Sequence, residues 1–392
     1  MRNVAPVALL LALTLCTLRV NAEDELQIIT PEGLATSQML PSLDGAVADL
    51  PLSAAAPGSL TLNDAVSRAV SWHPSIRESI GKLLSQNEQI DVAKSKYYPQ
   101  VSAGMNNGYS NTYTDHGFSP ALVISVSQML YDFGKVASQV RAETAGAAQQ
   151  QANVLLSIDT IAHATANAIV QVQTWQQMVD AAEEQLTALN GIGRLTRQRN
   201  DEGATSLSDV VQTDARIESA RSQLAQYQAN LDSSKATLIS YLGWNSLNGI
   251  SNEFPAKLDS SCDVVKPEDK LVPAVLAAWA QANVAQANLD YANAQMTPTI
   301  SLEPSVQHYL NDKYPSHEVL DKTQYSTWVK VEMPLYQGGG LTARRNAASH
   351  AVESAQYSIQ RTRLEVRQKL LESRSQALSL ATALQILRRQ QR

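Results

Sequence analysis

The chain has 392 residues and a formal net charge of -6, room for two average domains or one elongated one. Aromatic residues are only 5%, while 52 Ala and 33 Gln supply small and straight-chain helix formers, a composition for long helices packed side by side rather than for a bulky core. Lysine and arginine are dispersed with no basic block, which excludes a nucleic-acid footprint.

Arg2 precedes the apolar run Val7 to Leu15, and Val20-Asn21-Ala22 offers the small residues of a cleavage site, so residues 1–22 are predicted to be a secretory signal. The run is shorter than the roughly 20 apolar residues of a spanning helix, which favours cleavage over an anchor. Leu15, in front of Cys16, is bulky where a lipoprotein signal needs a small residue. With the signal removed, Cys262 is the only thiol, so packing rather than an intramolecular disulfide must hold the fold. No later stretch reaches roughly 18 uninterrupted apolar residues, so any membrane crossing has to be a β-barrel.

Residues 23–58, with Pro31, Pro41, Pro51 and Pro57, read as a flexible lead-in. Leu60 to Val66 opens a helix with Thr61 or Asn63 as its cap, His73-Pro74 interrupts it, and a second helix runs to about Lys96. From Gly134 to Asn190 there is no proline. Ile158, Ile161, Thr165, Ile169, Val172, Trp175, Val179, Ala182, Leu186 and Leu189 keep to one face there. Ile217, Ala220, Leu224, Tyr227, Leu231, Ser234, Leu238 and Tyr241 form a second seam with coiled-coil spacing. Between them Gly191-Ile192-Gly193 and Asn200 to Ser206 carry turn and capping chemistry, so the two seams are expected to fold as an antiparallel hairpin. A helix end at Gly191 and one at Asn200 both fit.

The chain repeats itself. Gln89-Ile90-Asp91-Val92-Ala93 with Tyr98-Pro99-Gln100-Val101-Ser102 aligns with Asn288-Leu289-Asp290-Tyr291-Ala292 with Thr297-Pro298-Thr299-Ile300-Ser301. Further on, Leu130-Tyr131-Asp132-Phe133-Gly134 aligns with Leu335-Tyr336-Gln337-Gly338-Gly339. Each half reads helix, proline break, two strands, glycine turn, long helix. The predicted organisation is 59–250 for the first repeat, 251–269 for a linker and 270–392 for the second.

In the strands Thr327, Val329, Val331, Met333 and Leu335 alternate with Trp328, Lys330, Glu332 and Pro334. Ile300, Leu302, Pro304 and Val306 alternate with Thr299, Ser301, Glu303 and Ser305, and Leu122, Ile124 and Val126 with Ser125 and Ser127. Strands of roughly 9 to 11 residues with one apolar face fit an outer-membrane barrel, with Lys330 and Glu332 as lumen-facing candidates, though a salt bridge that merely keeps register fits them equally. Tyr109, Tyr113, Tyr131, Tyr309, Tyr314, Tyr325, Trp328 and Tyr336 cluster at strand ends, where amphipathic rings suit lipid headgroups. Four strands cannot close a barrel within one chain, so several chains have to contribute.

No constellation for catalysis accompanies these elements. Asp132-Phe133-Gly134 lacks the other kinase segments, Gly338-Gly339-Gly340 lacks the lysine of a phosphate loop, and Cys262 has no nearby histidine. The six histidines His73, His116, His163, His308, His317 and His350 show no metal-ligand spacing.

The tandem repeat, the breaks at Pro99 and Pro298, the turns at Gly134, Gly338 and Gly339, and the segment Gly203 to Gln212 heading a helix that ends in Leu242-Gly243 together resemble the TolC family of outer-membrane efflux and secretion channels. The resemblance runs from about Leu60 to the end. It implies a mainly α fold with a small β part, in which long antiparallel coiled-coil helices form a periplasmic α-barrel. Each chain of a homotrimer would give four strands to one twelve-stranded outer-membrane β-barrel. It implies a passive duct without a cofactor, docked to a periplasmic adaptor and an inner-membrane ABC or proton-driven exporter. The family's acidic aperture ring leaves Asp209 as the first-repeat counterpart here, a latch candidate whose position also suits the helix dipole. It further implies a return helix of about 50 residues beyond Arg392, judged from the first repeat, so a fragment, or a truncated and non-functional channel subunit, is an open reading. An adaptor-like or scaffolding coiled-coil protein is the alternative function.

Overall fold

The computed structural model describes residues 58–110, 117–247, 249–251, 272–310 and 323–390. The predicted signal 1–22, nearly all of the lead-in 23–58, the linker beyond Ser251, Cys262, Tyr113, Tyr314, His116 and His317 lie outside these residues.

Helix α1 (Leu62–Trp72) is capped by Thr61, whose hydroxyl oxygen accepts from the Asp64 amide at 3.2 Å. Helix α2 (Pro74–Ser95) follows after one residue, because Pro74 has no N–H to continue the ladder and disfavours helical backbone at His73. The His73 ring caps α2: its Nδ1 accepts from the Ser75 amide at 3.2 Å, which requires a neutral ring. The ring lies against Tyr241 with centroids 5.8 Å apart. Its partial burial lowers the His73 pKa from the ordinary value.

A pH dependence follows with a definite sign. The neutral form is favoured on folding, so this contribution is present above the unfolded histidine pKa and is lost as pH falls through the lower folded value. Melting at about pH 5.5 is therefore expected below melting at about pH 7.5. His73→Asn, which caps without titrating, should shrink that gap, and an unchanged gap would rule the cap out.

Next come β1 (Gln100–Ser110), β2 (Gly117–Tyr131) and α3 (Lys135–Asp201). After these follow α4 (Leu207–Leu242), α5 (Pro273–Ala294), β3 (Thr299–Tyr309), β4 (Thr323–Glu332) and α6 (Gly340–Gln390). The 67 residues of α3 span about 100 Å at 1.5 Å each. It runs through Gly191 and Gly193 without a break, so of the two ends the sequence allowed, the later one is found. Gly193 serves packing: a Cβ there would lie 2.8 Å from Ile217 Cδ1 on α4. The hairpin turn falls at Gly203, in left-handed backbone at φ +73°.

The α3–α4 seam is the buried one anticipated by spacing. Ile161, Ile169, Val172 and Val179 meet Leu231, Leu238 and Leu242, and α1 adds Leu62, Ala65, Ala69 and Val70. Thr165 is fully buried there and its hydroxyl donates to the Ile161 carbonyl at 2.8 Å.

The strands make one antiparallel sheet in the order β1-β2-β3-β4, and α2, α3, α5 and α6 pack side by side in the same order. Two strand expectations are corrected. β2 has 15 residues, because it pairs with β1 over 117–127 and with β3 over 121–131, and this stagger lengthens it. β4 ends at Glu332, opposite the first residue of β3, and Met333 to Leu335 lie beyond it, next to Pro334, which has no amide hydrogen for the ladder.

Candidate functional site

The sheet separates most apolar from most polar side chains, the exceptions including Trp328 opposite Glu303 and Val123 opposite Gln307 on the polar face and Gln128 opposite Leu302 on the apolar one. Val101, Met105, Leu122, Ile124, Tyr325, Val329 and Val331 stand on one face and are 47–79% exposed. A patch of this size and sign needs an apolar surrounding. The two outer strands, β1 and β4, are hydrogen-bonded on one side only within the described sheet.

The opposite face is polar and falls into two zones. Ser102, Ser125, Ser305 and Ser326 stand directly opposite one another in three successive register pairs, one serine from each strand. The hydroxyls of Ser102 and Ser125 are 2.8 Å apart, as are those of Ser305 and Ser326. Nearer the helices lies a charged cluster. Lys330 Nζ is 2.8 Å from Glu332 Oε2 and 3.9 Å from Glu303 Oε1, and Ser301 donates to Glu303 at 3.1 Å. Lys330 and Glu332 thus share a face opposite Val329 and Val331, together with Glu303, which belongs to the neighbouring strand.

Four corners join sheet to helices. Pro99 and Pro298 occupy the breaks before β1 and β3, and both preceding helices tighten first: the Tyr97 amide donates to Lys94 O, and the Thr297 amide to Ala294 O. At the strand-to-helix corners Phe133 and Gly134 have φ +53° and +88°, while Gly338 and Gly339 have +59° and +80°. The backbone is the same in both repeats, but only the second uses glycine at the first of these positions. In the first repeat the Asp132 carboxylate accepts from the Gly134 amide at 3.0 Å and from the Val136 amide at 2.6 Å. The Asp132 carbonyl accepts from the Thr297 hydroxyl at 3.2 Å, tying the two repeats together. Sequence reasoning named Asp132 and Phe133 only as parts of a turn, and it did not single out Glu303 or the serine row. For Asp132 the signal was present, an acidic residue two before a glycine at a helix start.

Asp209 lies near the far end of the molecule's long hairpin, in a capping box with Ser206. Its Oδ2 accepts from the Thr205 hydroxyl at 2.6 Å, the Ser206 hydroxyl at 2.8 Å and the Ser206 amide at 3.2 Å. These bonds, the hydroxyls first, hold its pKa below the usual carboxylate value.

Among the described residues no His, Cys, Asp and Glu group is arranged to hold a metal ion, and no helix is long and apolar enough to cross a membrane. A groove of about 690 Å³ over α5, walled by Gln149, Gln281, Asn288, Ser358 and Arg361, gathers a single charged side chain.

The family model for outer membrane efflux proteins matches residues 65–244 and 270–392. The outer membrane efflux protein BepC of Brucella suis is 24% identical over 329 residues, covering 81% of this chain and 70% of BepC. The outer membrane protein TolC of Salmonella enteritidis is 25% identical over 74% of this chain, which spans 63% of that protein. The solved outer-membrane channel OprN superposes with a TM-score of 0.68 at 18% identity, covering 84% of this chain and 76% of OprN.

Proposed function

The chain belongs to the outer membrane efflux protein family, and we propose from that premise that it is a subunit of a passive exit duct. Three copies close their four-stranded sheets edge to edge into one twelve-stranded barrel in the outer membrane, and the long helices form a helical barrel in the periplasm. The observation that carries this reading is the sheet itself: two free edges and an exposed apolar face are stable only when strands of other copies and lipid cover them.

In this reading the α3–α4 hairpin points away from the membrane. A periplasmic adaptor and an inner-membrane exporter, of the ABC or the proton-driven type, supply cargo and energy at that end. Asp209, exposed and held in its ionised form, contributes to latching it closed. Catalysis has no part in the reading.

The test is the molar mass, by light scattering with detergent correction, of protein extracted from an isolated outer-membrane fraction. A trimer is expected. A monomer in that fraction would overturn the duct for this chain and favour the incomplete-subunit reading, and protein found only in the soluble periplasmic fraction would favour the adaptor-like alternative.

A further inference from the structure

Charge on the polar face of the sheet is confined to one end. Among its described residues on that face, only Glu303, Lys330 and Glu332 are charged. Beyond them, away from the helices, the next rows carry the four serines, then Gly104, Val123, Gln307 and Gln324. The serine hydroxyls engage one another in pairs, so this zone presents neutral side chains. Within the cluster the Lys330 ammonium faces two carboxylates, and Lys135, whose ammonium donates at 2.8 Å to the hydroxyl of Thr299, the residue opposite Glu332, stands by as a second cation, so the charges nearly balance in each copy.

We propose that the Glu303–Lys330–Glu332 cluster sets the ion selectivity of the duct, with Lys330 as the residue that holds it in check, and that the serine row beyond it is electrically silent. The proposal rests on the duct reading, because only a closed barrel turns this face into a lumen. There the cluster repeats in every copy near the helical end, and a ring of fixed charge in a narrow pore admits counter-ions preferentially. Strands in such barrels tilt roughly 35–45°, so the serines climb the wall obliquely as hydroxyl tracks rather than closing a flat ring.

The experiment is reversal potential in planar bilayers across a KCl gradient, using the full chain reconstituted from the outer membrane. The wild type is expected to prefer potassium over chloride only weakly. Lys330→Gln should raise that preference about threefold at low salt, Lys330→Arg should leave it unchanged, and the double variant Glu303→Gln with Glu332→Gln should turn it towards chloride. Ser125→Ala and Ser305→Ala should leave it where it was. The differences should fade in about 1 M salt, where the screening length is about 3 Å.

An unshifted reversal potential in Lys330→Gln, or an equal shift from the serine variants, overturns the proposal. Should Lys330→Gln fail to reach the membrane, the double carboxylate variant decides the matter by the direction of its shift. A protein that opens no conductance either as wild type or as Asp209→Asn, which releases the latch, sinks the duct reading and takes this one with it.

Discussion

Gly243→Ala is expected to destabilise the protein by about 3 kcal/mol, from the strain of a left-handed non-glycine residue and the overfilling of a packed site. Gly243 ends α4 at φ +64°, and a Cβ there would fall inside the van der Waals surface of the Trp72 indole. Trp72 has little room to retreat, since His73 stands edge-on to it and Arg68 lies over its ring while donating to the Leu242 carbonyl at 3.2 Å. Gly203→Ala is the control: its φ of +73° imposes the same strain, but nothing lies within 4 Å of the added carbon. Thermal or urea melting should therefore separate the two variants, Gly203→Ala costing about 1 kcal/mol. Equal losses would show that the Trp72 contact is not what demands glycine at 243.

Asp132→Ala is the second large effect. The carboxylate is 7% exposed and takes two amides at the start of the longest helix, whose own cap residue, Gly134, has no side chain to do so. Losing the cap and stranding those amides should cost about 2–3 kcal/mol. Asp132→Asn, which keeps one acceptor oxygen, should fall between. Gln337 holds the matching place in the second repeat but is exposed, so Gln337→Ala should change stability by less than about 0.5 kcal/mol. Hydrogen exchange at the first turn of α3 should quicken only in the Asp132 variants, and equal exchange in Asp132→Ala and wild type would dismiss the cap.

Much of the architecture was legible in the chain because it is written in periods. The Ile217-to-Tyr241 spacing named the α4 seam, and the alternation around Ile300 and Val329 named the sheet's two faces. Register was not legible: nothing local says that Ser102, Ser125, Ser305 and Ser326 share one row, since that depends on four strands brought together by loops and helices. The same limit hid Glu303 as the neighbour of Lys330. Gly193 left the helix end open, because a glycine needed for close helix approach has the same letter as one that ends a helix. The left-handed backbone of Phe133 became visible only beside Gly338, which occupies that conformation at less cost.

The open flanks of β1 and β4 also bear on the life of the chain before assembly. In the proposed duct, each newly delivered copy would offer, between export and closure, the unpaired edges of the described sheet and its exposed apolar face to an aqueous compartment. Such a surface recruits any extended segment it meets, including the same strand of another immature copy in the wrong order. Correct and incorrect strand addition are thus competing reactions, and their ratio depends on how many unclosed copies coexist. Overproduction should depress yield out of proportion to synthesis.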